Sequence, residues 1–251
     1  MRYIVVAIAF FITTDCAGQI VNIESARMQS DTTGWMGSIN ALLSVSQSVD
    51  HVFHSDLAAH IQYKTKKNKD LWLLLTEYEY MKGASRKFTD NTFGHLRYNH
   101  KLNTWLRWEI FFQAQNNLIT QLRARILLGT GPRFKICSTK IFHLYAASLV
   151  MYEHEKENTT PFIFHNDIRS SSYVSFTIIP KKNIEIISTT YYQPLYRKFN
   201  DYRILNQASL KVKADKHFSV SLRWNYLFDS YPAGTSPKTT YSFSSGAGYD
   251  F

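Results

Sequence analysis

The sequence predicts an all-β fold, a transmembrane antiparallel up-and-down β-barrel of about twelve strands. Apolar and polar residues alternate from Trp35 almost to the end of the chain, as in strands with two unlike faces. The chain holds 16 Tyr, 17 Phe and 5 Trp, yet its mean hydropathy is -0.26. No uncharged apolar run reaches the ~20 residues that a membrane-spanning helix needs. Abundant aromatics without long apolar runs suit strands that face lipid on one side and water on the other.

The N-terminus is typical of a secretory signal peptide. Arg2 precedes an apolar run over residues 3–12, and small residues follow it. We expect cleavage before Gln19, although lipidation of Cys16 is an alternative. The expected segments are a signal peptide at 1–18, a periplasmic lead-in at 19–34 and an outer-membrane β-barrel at 35–251.

The first four strands are separated by polar residues. In the second, Leu57, Ala59 and Ile61 alternate with polar residues. A lysine-rich turn follows it, and the polar residues 83–90 predict a loop before the fourth strand. The expected strands are 35–47, 52–65, 71–82 and 91–102.

The middle four strands contain a tight hairpin and a predicted irregularity. Asn103 alone separates the fourth strand from the fifth, as a tight hairpin requires. Gly129, Gly131 and Pro132 predict a bend or bulge in the sixth. The longest polar loop is expected at 154–161. The expected strands are 104–116, 119–134, 140–153 and 166–179.

The last four strands include the most regular one. In the eleventh, large apolar residues share one face: Phe218, Val220, Leu222, Trp224, Tyr226 and Phe228. A soluble β-sandwich, the alternative fold, seldom exposes such a face. An even strand number leaves both termini on the periplasmic side, where barrels have short turns. The expected strands are 184–197, 204–213, 217–229 and 239–251.

The final stretch resembles the C-terminal signal of outer-membrane β-barrels. That signal combines a polar residue, a glycine and two spaced hydrophobic residues, matched here by Ser244, Gly246, Tyr249 and Phe251. The resemblance implies that the protein lies in the cell outer membrane. Its implied partners are outer-membrane lipids and the barrel-assembly machinery.

Two further segments resemble a family. One runs from Ile23 to Gly37 and includes Asp31-Thr32-Thr33-Gly34-Trp35, and the other is Leu127–Arg133. Both are similar to the YdiY-like family of outer-membrane barrels, a domain of unknown function of the salt-induced outer-membrane protein type. The resemblance implies the fold and the location. It offers no substrate and no catalytic residue.

The polar strand faces carry many charges. Arg107, Arg123, Arg125 and Arg223 are the candidate basic lining of the lumen, and we expect the first three to form one patch, because strands five and six are neighbours. Two interpretations stay open: a salt-bridged network that fills a narrow barrel, or a pore that favours small anions. The other expected lumenal charges are Lys64, Arg97, Arg169, Lys211, Lys213, Asp56, Glu77, Glu79 and Glu109.

Other functional classes have weaker support. His217 and Ser219 resemble the His-x-Ser pair of outer-membrane phospholipase A, so a lipid hydrolase is the alternative function. The histidines are scattered and Cys137 is alone once Cys16 is removed, so we expect no metal and no cofactor. The net charge of +10 lacks a nucleic-acid recognition motif. We expect a non-enzymatic barrel, either a porin-like channel or a structural or stress-related membrane protein.

Overall fold

The computed structural model describes residues 23, 33–47, 51–83, 86–118 and 120–249. Within them, twelve strands form one sheet in chain order, and each strand pairs with the next. This confirms the predicted up-and-down topology and strand number. The strands are β1 Gly34–Gln47, β2 His51–Lys64, β3 Asp70–Gly83, β4 Arg86–Lys101, β5 Leu106–Asn117, β6 Leu122–Ser138, β7 Phe142–Glu157, β8 Phe164–Lys181, β9 Ile184–Leu195, β10 Lys198–Lys213, β11 Phe218–Asp229 and β12 Thr239–Tyr249.

The sheet curls until its two edge strands approach each other, with Cα atoms of β1 and β12 within 8 Å. Its faces differ as a barrel requires. In β3, Leu73 and Leu75 are fully buried on the lumenal face, whereas Trp72 and Leu74 are exposed on the outward face. On β11 the outward Trp224 stacks on Tyr241 of β12, with ring centroids 5.7 Å apart.

Tight connections close one end of the barrel, which we call the turn end: 65–69, 102–105, 139–141, 182–183 and 214–217. At the predicted hairpin, the Asn103 side-chain oxygen accepts hydrogen bonds from the backbone N–H groups of Trp105 and Leu106. In the connection 214–217, the Asp215 carboxylate likewise accepts hydrogen bonds from the backbone N–H groups of Phe218 and His217. These bonds keep the pKa of its carboxyl below the usual value. The connections 158–163, 196–197 and 230–238 lie at the opposite end, the loop end.

Several strands extend further towards the loop end than predicted. β4 begins at Arg86, β7 ends at Glu157 and β10 begins at Lys198. The predicted loops at 83–90 and 154–161 are therefore wrong over much of their length. These strand ends are mostly polar, with Phe88 and Phe199 as isolated apolar residues, so the apolar alternation that marks a strand fades before the hydrogen-bonded ladder ends.

The bulge predicted at Gly129, Gly131 and Pro132 is also wrong. The register of β6 with β7 is the same on both sides of these residues, and it shifts instead between Leu122 and Ala124 and between Lys135 and Cys137. A Cβ at Gly131 would overlap the backbone of β7 at Ser148 and Leu149. The glycine at position 131 therefore allows the backbones of β6 and β7 to approach each other closely.

The N-terminal predictions lie mostly outside the described residues, so the signal peptide and the lead-in stay predictions. Ile23, from the expected lead-in, is buried in the lumen against Leu73, Leu75 and Phe93. The described part of the chain contains no helix long and apolar enough to cross a membrane.

Candidate functional site

An apolar layer fills the middle of the lumen. Five consecutive strands, β5 to β9, supply it, and Leu205 of β10 packs against it. Gly129 makes the packing possible, because a Cβ there would overlap the ring of Phe111. A narrow barrel can be filled in this way by its own side chains. The buried members are Phe111, Leu127, Ala147, Leu149, Met151, Tyr173 and Tyr191.

A buried carboxylate, that of Glu109, lies beside this layer with 0% exposure. Arg97 Nη1 donates to its Oε2 at 3.2 Å, and Arg133 Nε lies 3.6 Å from its Oε1. The hydroxyl of Tyr173 also donates to Oε2, at 2.9 Å, from β8, three strands further along the sheet. A buried charge is costly unless it is paired, so these contacts stabilise the ionised carboxylate.

His95 packs against the same cluster. Its ring stacks on those of Phe93 and Phe111, with centroids 6.1 and 5.5 Å away. Arg97 Nε donates to His95 Nε2 at 3.2 Å, and Gln113 Oε1 lies 3.0 Å from Nδ1. Arginine has no acceptor, so Nε2 accepts and Nδ1 carries the proton that binds Gln113. His95 is therefore neutral and adds no charge to the lumen.

An ion-pair network lies towards the loop end. Its centre is Arg203 of β10, whose Nη1 is 2.6 Å from Glu153 Oε1 and whose Nη2 is 3.2 Å from Glu155 Oε2, both on β7. Arg203 Nε also pairs with Asp229 of β11 at 2.8 Å. Arg203 thus connects carboxylates on two other strands.

The network continues on both sides of this centre. Arg125 of β6 pairs with Glu155 at 2.6 Å and with Glu153 at 3.2 Å. Arg169 of β8 pairs with Glu153 at 3.0 Å and with Asp201 of β10 at 2.9 Å. Three arginines therefore share four carboxylates at this level of the lumen.

A cavity of about 110 Å³ lies between this network and the connection 230–238. Charged, amide and apolar groups all line it, so it could accept a small polar solute. The charged lining residues are Arg97, Arg125, Arg203, Glu155 and Asp229, the amides are Gln113, Gln115, Gln193 and Gln207, and Pro232, Ala233, Ser236 and Pro237 come from the connection above.

The connection 230–238 forms a roof over the cavity, and Gln121 holds it. Gln121 Nε2 donates to Thr235 Oγ1 at 2.8 Å, and the Thr235 N–H donates to Gln121 Oε1 at 3.3 Å. Gly234 has a φ of 52°, and a Cβ there would overlap Gln121 Oε1. A glycine is therefore needed for this close approach.

The structure does not bring Arg107, Arg123 and Arg125 together. Arg107 is in register with Arg133 towards the turn end, whereas Arg125 is in register with Gln115 towards the loop end. Arg123 is exposed at the register shift between Leu122 and Ala124, with its guanidinium 4.9 Å from the ring centroid of Phe162. Antiparallel pairing separates the first from the other two, and the bulge turns Arg123 away from the lumen.

The fourth candidate, Arg223, lies on β11 in register with Ser209 and Ser244. It acts electrostatically on Asp56 and His60 of β2, and Lys211 also acts on His60. Arg223 and Lys211 thus lie near β2, on the side of the barrel where β1 and β12 approach each other.

Sequence reasoning missed most of the lumenal carboxylates and the arginine that joins them. Glu153 was the last residue of the predicted seventh strand and was not counted among the lumenal charges. Extending the β7 alternation beyond it would have found Glu155 and Glu157, and starting β10 earlier would have found Arg203. The buried residues missed are Glu153, Glu155, Glu157, Asp167, Asp229, Arg133 and Arg203.

The other predicted sites are placed as follows. Ser244, Gly246 and Tyr249 lie in β12, paired with Arg223, Ser221 and Phe218, and Phe251 lies outside the described residues. His217 lies in the connection 214–217 at the turn end, and Ser219 is buried on β11. Among the described residues, no group of three or more His, Cys, Asp and Glu could hold a metal ion.

Comparisons with known proteins agree on the fold. A family model described as Protein of unknown function, DUF481, matches residues 54–251. No curated protein matches the chain. A NanC porin is 11% identical, with a TM-score of 0.52 over 85% of this chain and 98% of that chain. The translocator domain of autotransporter NalP from Neisseria meningitidis is 10% identical, with a TM-score of 0.54 over 87% of this chain and 89% of that chain. These likenesses show the fold of an outer-membrane β-barrel, and they lend no support to a lipid hydrolase.

Proposed function

The chain belongs to the DUF481 family of proteins of unknown function, and from this premise we propose that it is a small, non-enzymatic channel of the bacterial outer membrane, closed in this conformation. The observation that carries the proposal is the charged cavity beneath the connection 230–238. Such a chamber, in a barrel with the porin fold, suits a solute that enters from the loop end.

Two barriers make this a closed conformation. The apolar layer around Phe111 and Met151 blocks the lumen below the cavity. The pair of Arg203 on β10 with Glu153 on β7 bridges strands that are three apart in the sheet, beside the cavity. Passage of a solute requires both barriers to rearrange.

The roof is the element most easily displaced. Two hydrogen bonds to Gln121 hold Thr235, and this contact lies among exposed residues. Connections exposed to water at the end of a barrel move more readily than the hydrogen-bonded strands beneath them. We infer that opening begins with release of Thr235 from Gln121.

A structural barrel that does not conduct is the second candidate. The saturated pairing of Arg125, Arg169 and Arg203 favours it, because a paired network fills and stiffens the lumen without needing a solute. Conductance separates the two candidates.

A reversible disulfide across the roof tests the channel. In a Cys137→Ser background, Gln121→Cys with Thr235→Cys should conduct in planar bilayers when reduced and stop conducting when oxidised, because the disulfide prevents release of the roof. The single variant Gln121→Cys is the matched control, and its conductance should be the same under oxidising and reducing conditions. Equal conductance of the oxidised and reduced pair would exclude the roof as the gate, and no conductance in wild type would favour the structural barrel.

The same bilayers test the solute charge. The ion-pair network contains no surplus of positive charge, so we expect the preference for small anions to come from Arg223 instead of from Arg125. Reversal potentials in asymmetric KCl should show anion selectivity that weakens as salt rises. Arg223→Gln should reduce it, whereas Arg123→Gln should not, since Arg123 lies outside the lumen. A cation-selective wild type would contradict this expectation.

A further inference from the structure

Cationic and aromatic side chains form a cluster on the outward face of the barrel at the loop end. Lys156 Nζ lies 4.1 Å from the ring centroid of Phe162 and 5.1 Å from that of Phe164, and the Arg123 guanidinium lies 4.9 Å from that of Phe162. The two rings are 46% and 55% exposed. A single ring thus holds two cations side by side at the surface of the barrel.

The bulge in β6 creates this arrangement. Leu122 is in register with Glu157 and Ala124 with Lys156, so Arg123 is the extra residue between them. Leu122 and Leu127 remain buried on the lumenal face. The inserted residue therefore leaves the lumenal alternation and projects outward beside Lys156, as bulges commonly re-aim a side chain.

The cluster lies directly above an apolar belt. Towards the middle of the same strands the outward residues Leu128, Val150 and Ile168 are 54%, 49% and 54% exposed. Between belt and cluster, Asn166 Oδ1 accepts a hydrogen bond from the Tyr152 hydroxyl at 2.9 Å and lies 2.7 Å from His154 Nδ1. A change from apolar to hydrogen-bonded and then to cationic groups marks the level of lipid headgroups.

Neither of these two cations has a carboxylate partner in the described part of the chain. No ion pair there includes Arg123 or Lys156, whereas Lys87, also at the loop end and 5.7 Å from the Tyr80 ring centroid, pairs with Asp90 at 3.0 Å. The nearby Glu157 carboxylate lies 2.7 Å from His165 Nε2. The charge of the cluster is therefore available to an anionic partner.

We propose that Arg123 and Lys156 bind a phosphate group of a phosphorylated lipid in the outer leaflet. The planar guanidinium can give two hydrogen bonds to one phosphate, and the ammonium adds a point charge. Phe162 and Phe164 then contact the lipid where headgroup meets acyl chain. The inference rests on the proposed outer-membrane location with the loop end outward, and it does not require the lumen to conduct.

Native mass spectrometry of the folded protein, released from nanodiscs of phosphatidylcholine doped with bisphosphorylated lipid A, tests this site. We expect the double variant Arg123→Gln, Lys156→Gln to bind this lipid roughly thirtyfold more weakly than wild type, since each surface cation contributes a factor of about five to six. The double variant Arg123→Lys, Lys156→Arg should restore most of the binding. Lys87→Gln is the matched control and should bind like wild type, because its charge is already paired.

Further binding measurements distinguish a lipid site from the other possible outcomes. Dephosphorylated lipid A should bind wild type as weakly as the phosphorylated lipid binds the double glutamine variant. Inorganic phosphate should compete poorly; full displacement by it would indicate a site for free phosphate and overturn the proposal. Equal lipid binding by wild type and the double glutamine variant, both folded by heat-modifiable gel migration, would also overturn it. Loss of lipid binding with unchanged conductance would distinguish this site from the channel.

Discussion

Glu109→Gln is expected to lower the free energy of unfolding by about 3–5 kcal/mol, as removal of one partner from a buried charge pair does. Glu109 is 0% exposed, and its carboxylate lies beside the buried guanidinium groups of Arg97 and Arg133. The glutamine keeps the shape and can still accept from Tyr173. Both arginines would then share a buried site without the negative charge that faces them.

Urea unfolding of the protein in lipid vesicles, followed by tryptophan fluorescence, measures this effect. Asp90→Asn is the control, because Asp90 pairs with the exposed Lys87, and such surface pairs contribute about 0–1 kcal/mol. Similar losses for the two variants would mean that Glu109 is not held as a buried ion. A larger conductance of Glu109→Gln in bilayers would further place this cluster in the barrier to solute passage.

The strands could be predicted wherever one face meets lipid and the other meets the lumen. β11 shows this best, since Trp224 and Val220 are exposed outward while Ser219 and Asp229 are buried. Near the loop end the contrast disappears. Lys156 and Glu157 are both charged, although one lies on the outward face and the other is buried in the lumen. Periodicity cannot mark a strand whose two faces are equally polar.

The contacts among lumenal side chains were less predictable than the strands that carry them. Alternation assigns Arg97 and Glu109 to the same face, yet their contact depends on the register of β4 with β5. The hydrogen bond between Tyr173 and Glu109 also depends on the curl of the sheet, which brings these side chains of β8 and β5 within reach of each other. Arg123 was misplaced because one inserted residue reverses the parity of the chain before it. The strand register, the curl of the sheet and the position of the inserted residue cannot be inferred from the local sequence.

The same interior that stabilises the closed barrel also restricts how it could conduct. Arg203 contacts carboxylates on both β7 and β11, so losing one partner leaves the others in place. The roof contact involves two hydrogen bonds among exposed groups. Solute entry to the cavity is therefore expected to be easier than passage beyond it, where the apolar layer requires Phe111 and Met151 to move.

Replacing Tyr249 and Phe251 together by Ser is expected to abolish insertion into the outer membrane. β12 pairs with β11 as far as Tyr249 opposite Phe218, and it also approaches β1, so the strand that carries the expected assembly signal is also the edge strand next to β1. Export should continue, because residues 1–18 are unchanged. Membrane fractionation and heat-modifiable gel migration should show an exported chain that fails to enter the membrane.

The matched control for this experiment lies on the same strand. Tyr241 and Phe243 are aromatic residues of β12 that face outward, at 67% and 50% exposure, so Tyr241→Ser with Phe243→Ser removes two aromatic side chains from β12 but leaves its last residues intact. This variant should insert and be less stable, because lipid-facing contacts are lost without the terminal motif. Normal insertion of the Tyr249 and Phe251 double variant would show that the last residues are not a signal. Equal failure of both double variants would assign the defect to lost apolar surface, and the terminal motif would then have no separate role.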